Sequence, residues 1–263
     1  VEGKRWIQQL QPRLDETPLQ YHPKFLISAG HITWMYDLDA ARQLFMKALD
    51  VAHDLGDRLQ FAWAKTFLAF TMQQGPEAAQ PVARESLALF RELDHQPGIA
   101  QALNIIGVIA NQAGEDAVAK SAFHECLRVC QHKGEARRIG YMLHNLAYTA
   151  QHEGDCQLAL DYGRQATQLA RQRNDIYDLA AALHSLAGAW TGLAQAARAA
   201  RLLGAHDAAL ERMGALFQPD EQRDRARIIA SIQAQLDLAA FNEAMAEGRG
   251  MTLDQAVAYA LED

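Results

Sequence analysis

An all-α array of stacked helical hairpins is predicted for this 263-residue chain, and three observations predict it. The first is a period. Leu103, Ile106, Gly107, Ala110, Ala119, Phe123 and Cys126 recur forty residues on as Leu143, Leu146, Ala147, Ala150, Ala159, Gly163 and Ala166. A third copy follows at Leu183, Leu186, Ala187, Trp190, Ala199, Leu203 and His206. A fixed period of this length marks a stack in which each helix–turn–helix unit buries its apolar stripe on the next. The second observation is the spacing of Ala41, Phe45 and Ala48. On a helix these share one face; the alanines let a neighbouring helix come close and the phenylalanine fills the gap. The third is the lack of any convincing strand pattern in the sequence.

The opening, Glu2 to Leu10, reads as a short amphipathic helix with Trp6, Ile7 and Leu10 on one side. Pro12, Pro18 and Pro23 then limit helical extension. A first full hairpin starts near His22 and ends at Leu55-Gly56-Asp57, where Gly56 can turn left-handed and Asp57 can cap the next helix. The second runs from about Asp57 to Leu93. Trp63, Phe67 and Phe70 lie on its first helix, Gly75-Pro76 makes the turn, and Ala79, Ala83, Leu87 and Phe90 lie on its second. Against the third repeat its two helices align at offsets of 39 and 40, a one-residue change of the kind a turn tolerates.

Repeats three to five carry expected internal turns at Ala113-Gly114-Glu115, Glu153-Gly154-Asp155 and Thr191-Gly192. Their boundaries are expected at Lys133-Gly134-Glu135 and Arg173-Asn174-Asp175. Gly214 to Pro219 breaks the pattern, and Pro219-Asp220-Glu221 starts a helix with proline at N1 and acids in the first turn. Ile228, Ile229, Ile232, Leu236 and Leu238 supply its apolar side. A short helix around Ala239–Ala246 is expected to end at Gly248 and Gly250. Thr252-x-x-Gln255 is a capping box opening Leu253–Leu261. The predicted organisation is therefore a repeat array over 1–214, with 1–21 the remnant of a preceding repeat, and C-terminal capping helices over 215–263.

The formal net charge of −7 argues against a surface built to neutralise phosphates, so no direct nucleic-acid contact is expected. The basic clusters at Arg137–Arg138, Arg171–Arg173 and Arg223–Arg225–Arg227 read as solvated faces and helix C-termini. No apolar run reaches the roughly 18 to 20 residues of a membrane span, and no signal-peptide pattern opens the chain. With no initiator methionine, it is expected to be a piece of a longer protein. Three cysteines without an export signal point to reduced thiols and a cytoplasmic location.

Leucine or phenylalanine followed by a small residue on each first helix, with Ala-x3-Phe-x2-Ala on each second, resembles the tetratricopeptide repeat in a lengthened form of about 40 residues. The order of features over the whole chain is similar to the C-terminal part of bacterial STAND-class signalling ATPases, including LuxR-type and maltose-activator-like transcriptional regulators. Glu2-Gly-Lys-Arg-Trp, Arg201-Leu-Leu-Gly-Ala-His-Asp and Ala246-Glu-Gly-Arg-Gly-Met-Thr-Leu-Asp-Gln-Ala-Val carry that closer match. The resemblance implies about five hairpins in a right-handed superhelix. It also implies a sensor or interaction module joined to an N-terminal nucleotide-binding domain and, in many members, a C-terminal DNA-binding domain. No Gly-x4-Gly-Lys-Ser/Thr loop occurs in this sequence.

In tetratricopeptide arrays the first helices line a concave groove. Carried onto this sequence, one groove position reads Lys65, Asn104, His144 and His184, a second Gln101 and Tyr141, a third Val108 and Tyr148, and a fourth Asn111 and Gln151. Amides, aromatics and imidazoles stacked one per layer suit an extended peptide, a protein segment or a small polar ligand. Trp63, Phe67, Phe70 and Trp190 read as core, whereas Trp34 falls near the inner surface. Cys126 and Cys130 sit four apart, a spacing at which two side chains of a helix can share a zinc ion. Cys126, however, occupies the place of Ala48 and Ala166, where packing is the better reading, and no metal or cofactor is expected. Enzyme signatures such as His-Glu-x2-His and Gly-x-Ser-x-Gly are missing from the sequence. The expected function is a non-catalytic ligand- or protein-binding sensor module; the alternative is a constitutive protein–protein scaffold that senses no small molecule.

Overall fold

The computed structural model describes Arg5, Ile7, Leu14 and residues 16–34, 36–72, 75–214 and 219–262, with the backbone alone for 219–221. The expected N-terminal helix around Trp6 and Leu10 lies largely outside the described residues. Thirteen α-helices and a 3-10 turn at Leu19–Tyr21 account for most of the described residues, and no strand occurs among them. Ten helices pair into five hairpins: α1 (His22–Trp34) with α2 (Leu38–Asp54), α3 (Arg58–Phe70) with α4 (Pro76–Glu92), α5 (Gln96–Gln112) with α6 (Asp116–Lys133), α7 (Ala136–His152) with α8 (Cys156–Gln172), and α9 (Ile176–Gly192) with α10 (Ala196–Met213). Three more follow: α11 (Pro219–Gln233), α12 (Leu238–Gly250) and α13 (Leu253–Leu261). The forty-residue period appears directly in the starts of α5, α7 and α9 at Gln96, Ala136 and Ile176, and of α6, α8 and α10 at Asp116, Cys156 and Ala196.

Helix ends follow local chemistry. Asp57, Asp155 and Asp175 cap α3, α8 and α9 by accepting hydrogen bonds from the backbone N–H groups of Gln60, Leu158 and Asp178 at 3.0, 3.0 and 3.2 Å. One turn departs from expectation. Gly192 is the last residue of α9, and the left-handed residue is Ala194, at φ 59°. Gly192 is needed for contact rather than for turning: a Cβ there would stand 2.1 Å from Sγ of Cys156.

The chain falls into two compact units, residues 1–129 and 130–263. In the first, Phe45, Phe90 and Phe123 are fully buried. Gly30 and Gly107 give way to two of these rings, with ideal Cβ positions 2.5 Å from Phe45 and 2.4 Å from Phe123. Phe67 stacks on Phe45 and on Trp63, and Trp63 meets Phe90 edge-on at 5.0 Å. Trp34 is 37% exposed and leans its edge on Phe70. Cys126 is fully buried on α6, with Sγ 3.1 Å from the Ala100 carbonyl, as a small apolar group in a helix contact would be.

In the second unit the size relation between helices reverses: Gly163 of α8 now yields to Leu186 of α9, with an ideal Cβ 2.7 Å from the leucine. Trp190, 7% exposed, carries the Arg198 guanidinium 4.0 Å from its ring centroid. The helix expected to end at Gly248 and Gly250 runs to Gly250, and Gly248 within it serves as a contact. A Cβ there would meet the Arg201 carbonyl oxygen at 1.9 Å, and one at Gly204 would meet that of Met245 at 2.2 Å. The segments around Arg201 and around Ala246 thus pack backbone to backbone, tied also by an Arg201–Glu247 ion pair. Ile228 and Ile232 are buried as expected, but Leu238 opens α12 instead and is 66% exposed. The capping box at Thr252 and Gln255 is complete.

Candidate binding site

The first-helix positions divide between the two units. In the first unit Lys65 is ion-paired with Glu85 of its own hairpin, and its Nζ lies 5.4 Å from the Phe61 ring centroid. Gln101, Asn104 and Asn111 lie half-buried along α5. In the second unit Tyr141 is exposed with the Arg137 guanidinium 5.9 Å from its centroid, and Tyr148 packs against His152 at 4.3 Å. Gln151 donates from Nε2 to the Ser185 carbonyl at 3.1 Å, and its Oε1 occupies the space that a Cβ at Gly188 would need.

His144 and His184 are drawn into a charged cluster that the sequence reading did not contain. His184 is almost fully buried, and its Nε2 lies 3.0 Å from Oδ2 of Asp224 on α11. Asp224 also accepts from Arg227 Nε at 3.1 Å and Nη2 at 2.7 Å. Beside it, the His206 ring stands 5.1 Å from that of His184 and its Nδ1 3.4 Å from Oδ1 of Asp207. Asp207 accepts from Nε and Nη2 of Arg225, the Nε bond measuring 3.0 Å. Each buried carboxylate therefore has one imidazole and one guanidinium partner, the arrangement that makes a buried charge tolerable.

The electrostatics follow from the geometry. His144 keeps part of its surface accessible but is crowded by protein; that burial, and next the neighbouring His184, pushes its imidazole down to about 4 against the pull of Asp224. Burial alone would raise the Asp224 carboxyl, yet the hydrogen bonds from His184 and Arg227 outweigh it and hold the group down at about 2. Asp207 is likewise held below the usual carboxylate range: its burial acts upward, and His206 and Arg225 prevail. Among the described residues no group of three or more His, Cys, Asp or Glu has an arrangement that could hold a metal ion.

Asp224 was reachable from the sequence. It lies forty residues beyond His184, as His184 lies forty beyond His144, so the register continues onto α11 although the surrounding texture has changed. His206 stood in the repeat alignment at the place of Cys126 and Ala166, where it passed for packing.

No protein-family model and no curated protein sequence matches the chain. Solved structures do. A Rap protein complexed with Competence and Sporulation Factor superposes with a TM-score of 0.62 at 15% identity, over 94% of this chain and 70% of that one. A STAND (signal transduction ATPase with numerous domains) protein with a tetratricopeptide repeat sensor, from Pyrococcus horikoshii, gives 0.57 at 15% identity, over 94% of this chain and 42% of that one. The chain has a tetratricopeptide-like repeat fold. Its span is under half the length of the STAND neighbour. No described helix is long and apolar enough to cross a membrane.

Proposed function

We propose that this chain is a non-catalytic recognition module that takes a protein segment, peptide or small polar ligand on the first-helix face of its repeats. The observation that carries the reading lies in residues 130–263. His144 and His184 on the first helices α7 and α9, and Asp224 one further period on in α11, make a polar line that is partly accessible at His144 and Asp224 and buried at His184, and Tyr141, Tyr148 and Gln151 share α7 with His144. A stack held only by packing needs no charge here, and burying these groups costs free energy unless every one is paired. A sensor role within a larger signalling ATPase draws support from the likeness to a STAND protein's repeat sensor, and ligand binding from the neighbour complexed with Competence and Sporulation Factor. A link to transcription and a cytoplasmic location belong to the same proposal.

Thermal-shift screening against peptide, sugar and nucleotide libraries tests it. A saturable stabilisation by one compound class, lost in Tyr148→Ala, is expected, since a ligand held at 100 times its Kd adds about 2.7 kcal/mol. Absence of any small-molecule response, together with a protein that co-purifies, identifies the constitutive scaffold instead.

A further inference from the structure

Helix α13 packs against α8, α9 and α10 more than against α12, the helix it follows. Arg212 holds the end of α12 by donating to the carbonyls of Arg249 and Met251 at 3.1 and 3.0 Å, and Met251 and Thr252 then run extended to the start of α13. One face of α13 enters the seam. Ala256, Val257 and Ala260 are buried there, and Leu253, Tyr259 and Leu261 pack around them partly buried. At nine residues the helix is shorter than the roughly 12–15 at which an isolated helix is marginal in water, so the seam is what orders it.

The seam also carries the chemistry to receive the end of a helix. Arg164 of α8 and Arg198 of α10 both donate to the Glu262 carbonyl, Arg164 at 2.9 Å, and Arg198 donates to the Tyr259 carbonyl at 3.0 Å. Two guanidiniums thus cover carbonyls that a helix C-terminus leaves unpaired, at the negative end of its dipole. The Arg198 guanidinium lies 4.0 Å from the Trp190 ring centroid and 5.3 Å from that of Tyr259. The repeat is broken at these places. Trp190 stands where earlier periods have Ala110 and Ala150, and Arg198 where they have Val118 and Leu158. A stack closed by packing alone has no use for a cation at a position that was valine and leucine.

We propose that the seam of α8, α9 and α10 is a docking site for a short amphipathic helix, with α13 as its tethered occupant. The partner helix it fits repeats the chemistry of α13: small apolar residues at i, i+1 and i+4, and a C-terminal end turned to Arg164 and Arg198. The proposal goes beyond the binding reading above and does not rest on it.

A fluorescently labelled peptide of residues 252–262, acetylated and amidated, tests it by anisotropy against the whole chain and its Val257→Asp variant. A carboxylate forced into the place of Val257 should undock the chain's own helix. The peptide should then bind saturably and at least about tenfold tighter than to the unmodified chain, where the tethered helix competes at an effective concentration on the order of millimolar. Adding Arg198→Ala to the variant should weaken binding by about tenfold or more. No saturable binding to the variant, equal binding to both chains, or binding indifferent to Arg198 overturns the proposal. Hydrogen exchange on Val257→Asp separates undocking from unfolding. Protection should be lost in Leu253–Leu261 alone; loss shared by α9 and α10 would make α13 part of one cooperative core and overturn the proposal as well.

Discussion

Replacing Gly204 by alanine is the most direct probe of how the C-terminal helices are fastened. On an exposed helix the exchange stabilises by about 1 kcal/mol through helix propensity. Here the new Cβ falls 2.2 Å from the Met245 carbonyl oxygen and 3.0 Å from its carbon, and ordinary contact begins at 3.4 Å. Helix α12 must therefore withdraw from α10 by about 1 Å, an overpacking that costs about 1–3 kcal/mol. Because the obstacle is backbone, no rotamer change relieves it. The expected balance is a net loss of about 1–2 kcal/mol, since the steric cost exceeds the propensity gain. Gly248→Ala, 1.9 Å from the Arg201 carbonyl, should lose at least as much. Gly250→Ala is the control: nothing lies within 4 Å of its Cβ, and it should be neutral or stabilising by up to about 1 kcal/mol. Urea unfolding followed by far-UV circular dichroism reads all three as midpoint shifts at constant m. If Gly204→Ala matches Gly250→Ala, the close approach of α10 and α12 is wrong.

Three further outcomes follow from the same structure. His144 is held at about 4 in the fold against an ordinary 6.5, so its stabilising contribution is complete above 6.5 and is lost as pH falls towards 4. The gap corresponds to about 3 kcal/mol, and His144→Asn should flatten the stability–pH profile across that window, with the further loss below pH 4 from Asp224 retained. Gly192→Ala should destabilise by about 1–3 kcal/mol through its clash with Cys156 Sγ, and Cys156→Ala in the same chain should restore part of the loss, a coupling that a double-mutant cycle measures. Ala194→Gly should raise stability by about 0.5–1 kcal/mol, as relief of a left-handed alanine, in the same urea assay.

The repeated apolar and small residues made the hairpins legible, because a helix pair that buries its stripe on the next pair must keep the same face in phase. Leu103, Leu143 and Leu183 are all buried for that reason. Glycine was the ambiguous letter. At Gly114 and Gly154 it marks a left-handed turn, whereas at Gly192 and Gly248 it marks a contact, and the sequence does not distinguish conformational freedom from lack of a side chain. The candidate site was legible as a face and not as an environment. Periodicity placed His184 on the first-helix face, but its depth depends on Asp224 of α11, beyond a stretch where the repeat texture breaks. Asp207 lay next to a position already assigned to packing, so its bond to Arg225 had no signal in the spacing.

The proposed recognition runs through the first helices of residues 130–263. Hydrogen-exchange mapping with the strongest stabiliser from the thermal-shift screen tests this most directly. Protection gained in α7 and α9, around Tyr141, His144, Tyr148 and Gln151, with α8 and α10 unchanged, is the predicted result. Protection confined to the second helices α8 and α10, or a stabilisation that survives Tyr148→Ala intact, would contradict it.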